Sequence, residues 1–248
     1  RRLPAVETLG AVTVICSDKT GTLTRNEMTV QRIVTPDRVF AVSGAGYAPT
    51  GGFGLDGIPI LPDDAPDLQA IARAGQLCND AVLREQDDEW RTEGDPTEGA
   101  LLTLARKAGL DPIAEPERFH RVDSIPFESE HRFMATLHHD HHGHGFIYVK
   151  GAPERVLAMC ARELGSAGPQ PLCPDYWRDR IEELATLGQR VLAVAFRATA
   201  ETRGELTFED VEEGLILLGL LGISDPPREE AIRAVRPSSA PTSALRWA

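Results

Sequence analysis

The 248-residue chain carries 38 acidic and 26 basic side chains, a formal net charge of −12. That balance argues against nucleic acid as a partner, because nucleic-acid binders need a basic face. The length leaves room for one or two domains, each with its own core. Cys16, Cys78, Cys160 and Cys173 form no Cys-x-x-Cys pair and no zinc spacing, so they read as reduced, mostly buried thiols. No signal peptide is visible, and the longest apolar stretch, Gly214 to Ile223, is only about half the roughly twenty residues that span a bilayer.

The first predicted element is a strand, Ala11-Val12-Thr13-Val14-Ile15-Cys16, whose unbroken apolar run fits the buried interior of a parallel sheet. It feeds into Asp18-Lys19-Thr20-Gly21-Thr22-Leu23-Thr24. In open α/β sheets, ligands bind just beyond the carboxyl ends of the strands, which makes Asp18 a candidate nucleophile. A carboxylate there can attack an electrophilic centre and divide one hard step into two easier ones. Lys19 supplies positive charge, Gly21 permits a tight turn, and the threonine hydroxyls and amides can cradle phosphate oxygens.

A turn-rich stretch from Ser43 to Pro59 reads as a loop, since its Gly-x-Gly lacks the rest of a dinucleotide or phosphate-loop motif. Helical periodicity covers Asp67 to about Val82. A second helix opens at Asp95-Pro96-Thr97-Glu98, with an acid at the N-cap, Pro at the first position and Glu closing a capping box, and it stops near Gly109. Strands are expected over 121–125, 132–137 and 145–150, a helix from Pro153, and another from Tyr176 to Leu187 that ends at Gly188. Arg190 to Phe196 is a further expected strand, leading on to the apolar run Leu215 to Leu221. His138, His139, His141, His142 and His144 crowd one short segment; a polar hairpin loop accounts for them, with metal binding as the alternative.

The segment Asp18 to Thr24 resembles the phosphorylation motif of P-type ATPases, ion pumps that pass through an aspartyl-phosphate. The resemblance extends over about residues 1–235 through four further motifs. Gly94-Asp95-Pro96-Thr97-Glu98 resembles the first nucleotide-domain signature, implying that Glu98 contacts the adenine amino group or its neighbours. Pro126-Phe127-Glu128-Ser129-Glu130-His131-Arg132 resembles the second, with Phe127 stacking on adenine and Arg132 facing the phosphates; Ser129 stands where calcium pumps often carry a base. Lys150-Gly151-Ala152-Pro153-Glu154 resembles the third: Lys150 lines the adenine pocket and reaches toward the phosphates, and Gly151 lets the ligand approach. Arg190 matches an Arg that reaches across to the phosphates, while Asp225 and Arg228, in Asp225-Pro226-Pro227-Arg228, match a hinge that touches ribose and phosphate. The Lys-Gly-Ala-Pro-Glu form points to the branch of calcium and sodium/potassium pumps.

The resemblance implies an α/β fold: an incomplete haloacid-dehalogenase-like phosphorylation domain interrupted by an α+β nucleotide-binding domain, whose antiparallel sheet is flanked by helices. The expected division is 1–30 for the first part of the phosphorylation domain and 31–222 for the nucleotide-binding domain. The hinge and return occupy 223–235, and an atypical Pro/Ser-rich tail 236–248, expected to be disordered, points to a truncation or a shifted reading frame. The opening Arg1-Arg2-Leu3-Pro4 likewise looks like a chain entered from a preceding membrane helix. Implied ligands are ATP and Mg²⁺, the ion held by the Asp18 carboxylate and the Thr20 carbonyl. Implied partners are the membrane and actuator domains of a parent pump acting at the cytoplasmic face. Expected function is ATP-driven cation transport, with this segment binding ATP and lacking turnover by itself. A soluble phosphatase of the haloacid-dehalogenase type is the alternative, against which Thr20 stands where such enzymes carry a second Asp; a non-catalytic nucleotide-binding module is the third.

Overall fold

The computed structural model describes residues 22–24, 27–87, 89–199 and 203–235, and these fall into two compact units, Met28 to Ser224 and the residues on either side of it. The larger unit is organised by one strand. Leu215–Ser224 (β13) reads Leu-Ile-Leu-Leu-Gly-Leu-Leu-Gly-Ile-Ser and is buried at every position but the last. A strand covered on both faces has to be apolar throughout rather than alternating.

The remaining strands pair outward from β13. On one side lie Thr29–Val34 (β1), Val39–Val42 (β2), Phe53–Leu55 (β3) and Ile58–Ile60 (β4). On the other lie Arg190–Thr199 (β12), Gly145–Gly151 (β9), Phe133–Asp140 (β8) and Phe119–Ile125 (β7). Every pairing in this run is antiparallel. Cys160–Gly165 (β10) pairs antiparallel with Gly168–Pro171 (β11) and parallel with β13. Val82–Gln86 (β5) and Glu89–Glu93 (β6) form a separate hairpin.

Helices cover both faces. Pro66–Leu77 (α1) and Pro96–Lys107 (α2) send Leu68, Ile71, Leu101 and Leu104 into one core with Phe40, Leu218 and Leu221. Pro153–Met159 (α4) and Pro174–Thr186 (α5) send Val156, Met159, Trp177 and Leu184 into a second core with Phe133, Leu217 and Leu220. A short helix, Ala114–Arg118 (α3), precedes β7. The sheet-rich α+β build with an antiparallel sheet matches expectation. The strand expected over 11–16 and the tail 236–248 lie outside the described residues.

Several local expectations are corrected. The stretch from Ser43 to Pro59 contains the β3–β4 hairpin. The first helix stops at Leu77 rather than near Val82: the Asn79 side chain bonds back to the Gly75 carbonyl at 3.1 Å and starts the turn into β5. The β5–β6 hairpin is too charged to show an apolar alternation, with only Leu83 buried in β5. Of the described cysteines, Cys78 and Cys160 are buried and free, whereas Cys173 is free and exposed.

The histidine cluster forms the end of the β8–β9 hairpin. Asp140 accepts the His142 and His144 amides, each at 2.9 Å, and its other oxygen pairs with the His144 ring at 2.9 Å. Among the described residues, no group of three or more His, Cys, Asp or Glu is arranged to hold a metal. His138 points inward instead, 1% exposed, and its Nδ1–H donates to the Phe119 carbonyl at 3.0 Å.

Burial lowers the His138 pKa from 6.5 to about 4. The imidazole is therefore neutral in the fold, and its contribution is present above pH 6.5 and lost as the pH falls through 4. The gap corresponds to about 3 kcal/mol. In urea titrations across pH 7 to 4, unfolding free energy is expected to fall over this window, and His138→Phe is expected to flatten the slope. An unchanged slope would assign the acid sensitivity to other groups.

Candidate functional site

An open cleft of about 730 Å³ is lined by residues of the larger unit. Its apolar floor comes from Leu101 of α2 and Met134 of β8, 0% and 1% exposed. Charged residues of both signs line its walls: Asp80, Asp95 and Glu98 against Arg132, Lys150 and Arg190. An apolar pocket with a few convergent charged groups is the usual build of a small-molecule site.

Each wall residue has a local cause. Asp95 caps α2, its Oδ1 accepting the Thr97 amide at 2.7 Å and the Glu98 amide at 3.3 Å, so the expected N-cap and Pro start are present. The capping box is not closed. Glu98 turns away from the helix end: Oε2 accepts the Asp80 amide at 3.2 Å and Oε1 pairs with Lys150 Nζ at 2.5 Å. A carboxylate released from capping and drawn to a buried cation belongs to the cleft. The two side chains are 15% and 7% exposed, so the pair sits where water screens it little.

Lys150 and Gly151 end β9. A Cβ on Gly151 would lie 2.4 Å from the Arg132 carbonyl oxygen and 2.8 Å from the Phe133 Cα. Backbone crowding from Arg132 and Phe133, where the chain enters β8, therefore demands glycine there, in addition to its place on the cleft wall. Gly151→Ala is expected to cost about 1–3 kcal/mol, read as a lower melting temperature, because the neighbour is backbone and cannot swing aside. A melting temperature unchanged from the parent would show that β8 yields without cost.

Phe127 follows β7, is 59% exposed and belongs to neither apolar core. Arg132 closes the same turn in a left-handed conformation at φ 58°, its amide bonded to the Glu128 carbonyl at 2.8 Å. The Arg132 guanidinium pairs with Glu154 Oε1 at 2.8 Å, and Arg190 donates to the Thr97 hydroxyl at 3.1 Å. The cleft thus brings together Glu98, Phe127, Arg132, Lys150, Gly151 and Arg190, which come from four separate stretches of sequence.

Asp225 and Arg228 belong to the smaller unit. Asp225 accepts the Thr24 hydroxyl at 2.5 Å and the Glu27 amide at 3.3 Å. Arg228 donates from Nε to the Thr24 carbonyl at 2.9 Å, next to the Thr24–Pro227 bridge. Asp18, Lys19 and Thr20 lie outside the described residues. Sequence reasoning missed Asp80, which lines the cleft, pairs with Arg121 at 2.6 Å and fixes Glu98 through its amide. The only local signal was the helix-ending Asn79-Asp80 turn, which marks a chain reversal without marking a site.

A family model for the P-type ATPase cytoplasmic domain N matches residues 67–230. The chain belongs to the cation-transporting P-type ATPase family. Similar proteins include the cation-transporting ATPase pma1 of Synechocystis, 45% identical over 95% of this chain and 26% of that protein. A calcium-transporting ATPase of Bacillus subtilis is 38% identical over 95% of this chain and 27% of that protein. The calcium-transporting ATPase type 2C member 1 of Pongo abelii is 41% identical over 95% of this chain and 24% of that protein. The chain spans about a quarter of the length of these relatives. No helix among the described residues is long and apolar enough to cross a membrane. The cleft lies within the stretch matched to domain N of this P-type ATPase chain.

Proposed function

We propose that this chain is the ATP-binding part of a cation pump that works through an aspartyl-phosphate at Asp18, on the cytoplasmic side of a membrane. The observation that carries the reading is the cleft: an exposed aromatic face, an apolar floor and three cations converge within the stretch matched to the P-type ATPase domain N. The exposed ring of Phe127 offers a stacking surface for adenine. Glu98 accepts from the adenine amino group. Lys150, Arg132 and Arg190 neutralise phosphate charge. We assign Asp225 and Arg228 to ribose and phosphate on the strength of the motif.

An Asp18 carboxylate oxygen forms a bond to the γ-phosphorus, the bond from that phosphorus to the bridging oxygen breaks, and ADP leaves with the electron pair. Lys19 offsets charge at the nucleophile. The Asp18 carboxylate and the Thr20 carbonyl are hard oxygen donors of the kind Mg²⁺ takes, and we assign the ion to them; it supplies charge neutralisation at the transferred group. Membrane and actuator parts are contributed by the longer protein, and the isolated 248 residues bind ATP without turning it over.

Radiolabelled ATP tests the covalent step. In the full-length protein, an acid-stable and hydroxylamine-sensitive label is expected and should vanish in Asp18→Asn. Label that persists in that variant would overturn the assignment of the nucleophile, and label on the isolated 248 residues would overturn the proposed lack of turnover.

A further inference from the structure

The turn that carries Phe127 is held from outside the cleft. His131 places its ring 4.7 Å from that of Phe208 and 6.2 Å from that of Phe133, while Phe133 and Phe208 meet edge to face at 6.2 Å. On its other side, His131 Nε2 lies 3.4 Å from Glu128 Oε2, across the turn whose main chain closes through the Glu128 carbonyl. Phe208 belongs to a stretch distant in sequence, the turn Phe208–Asp210 between β12 and β13.

That turn is itself anchored. The buried Asp210 carboxylate accepts the Thr207 amide and hydroxyl, each at 2.9 Å, and pairs with Arg203. The Leu206 amide donates to Asp123 of β7 at 2.8 Å. Phe208 is thus a fixed ring that stays 45% exposed. The ring of His131, in the nucleotide-site turn, lies nearer to it than that of Phe133, and a half-exposed aromatic pair adds little to a core that already buries Phe133 completely.

We propose that His131 is a positioning residue: clamped against Phe208, it fixes the turn from Glu128 to Arg132 and so sets the direction in which Phe127 meets the base. This rests on the reading that Phe127 receives the adenine of ATP. The clamp acts on the aromatic face and leaves Lys150 and Arg190, the phosphate-binding cations outside the turn, in place. Loss of the clamp therefore weakens the binding of ATP more than that of inorganic triphosphate, which keeps two of its three cations and has no base to lose.

The test uses the 248-residue chain with His131→Ala, Phe208→Ala, the double variant and His131→Phe. Each alanine variant is expected to weaken ATP binding by about two- to tenfold with little change in melting temperature. The double variant is expected to be no weaker than the worse single variant, His131→Phe to bind like the parent, and triphosphate to lose clearly less affinity than ATP. Parental ATP affinity in both alanine variants, multiplied losses in the double variant, or equal losses for ATP and triphosphate would overturn the clamp.

Amide hydrogen exchange in the absence of nucleotide gives a second readout. Phe208→Ala is expected to speed exchange at His131 and Arg132, and unchanged exchange would overturn the proposal. A parent chain that binds no ATP, with exchange altered as expected, would sink the nucleotide reading and leave the clamp standing.

Discussion

Replacing Lys150 by methionine is expected to weaken ATP binding by tenfold or more and to lower the melting temperature by about 5–10 °C. Both effects come from one side chain, and the stability effect from one contact. Lys150 Nζ meets Glu98 Oε1 at 2.5 Å, with the side chains 7% and 15% exposed. Removing one partner of a buried pair leaves the other charge uncompensated, which costs about 3 kcal/mol. The Asp80 amide still reaches Glu98 at 3.2 Å and keeps the cost from being larger. A double variant separates the two roles: with Glu98→Gln added, the stranded charge is gone and thermal stability should largely return. ATP affinity should not, because the cation at the phosphates is still missing. Calorimetric titration together with melting curves reads both; recovery of ATP binding in the double variant would show that Lys150 serves the fold alone.

Replacing Phe127 by alanine is expected to give the opposite signature. Its ring is 59% exposed and belongs to neither apolar core, so the melting temperature should stay within about a degree or two of the parent. Stacking of a base on an aromatic ring is worth about 1–3 kcal/mol, so ATP affinity should drop by roughly ten- to a hundredfold. Phe127→Trp, which keeps a π-face, should retain binding. A loss of stability without a loss of affinity would mean that the ring serves packing alone.

These contrasts also show what could be read from the chain before its fold. The start of α2 was legible because an acidic cap, a proline and the amides they serve lie within four residues of one another. The apolar run Leu215 to Leu221 was legible because burial of the strand on both faces leaves no room for polar alternation; the strand itself extends to Ser224. The β5–β6 hairpin was hidden by its charge, and β3–β4 by its glycines.

At the cleft, sequence singled out six of the lining residues but could not fix what each does locally. Glu98 looked equally suited to a capping box, and only contacts to residues 18 and 52 positions away draw it out of that role. Gly151 looked like a gap for a ligand, whereas the atoms nearest its missing Cβ belong to Arg132 and Phe133, at the start of β8. Asp80 carried no signal because its part depends on Glu98 and Arg121 arriving from elsewhere. Local chemistry is written locally; the direction of a side chain is set by whatever the fold places opposite.

The most direct test of a nucleotide site in this cleft is an ATP titration of the 248-residue chain followed by backbone amide NMR. Saturable shifts are expected at Glu98, Phe127 to Arg132, Lys150 to Ala152 and Arg190, with the β8–β9 hairpin end from His141 to His144 unmoved. Absence of saturable shifts, or shifts confined to residues away from the cleft, would contradict it.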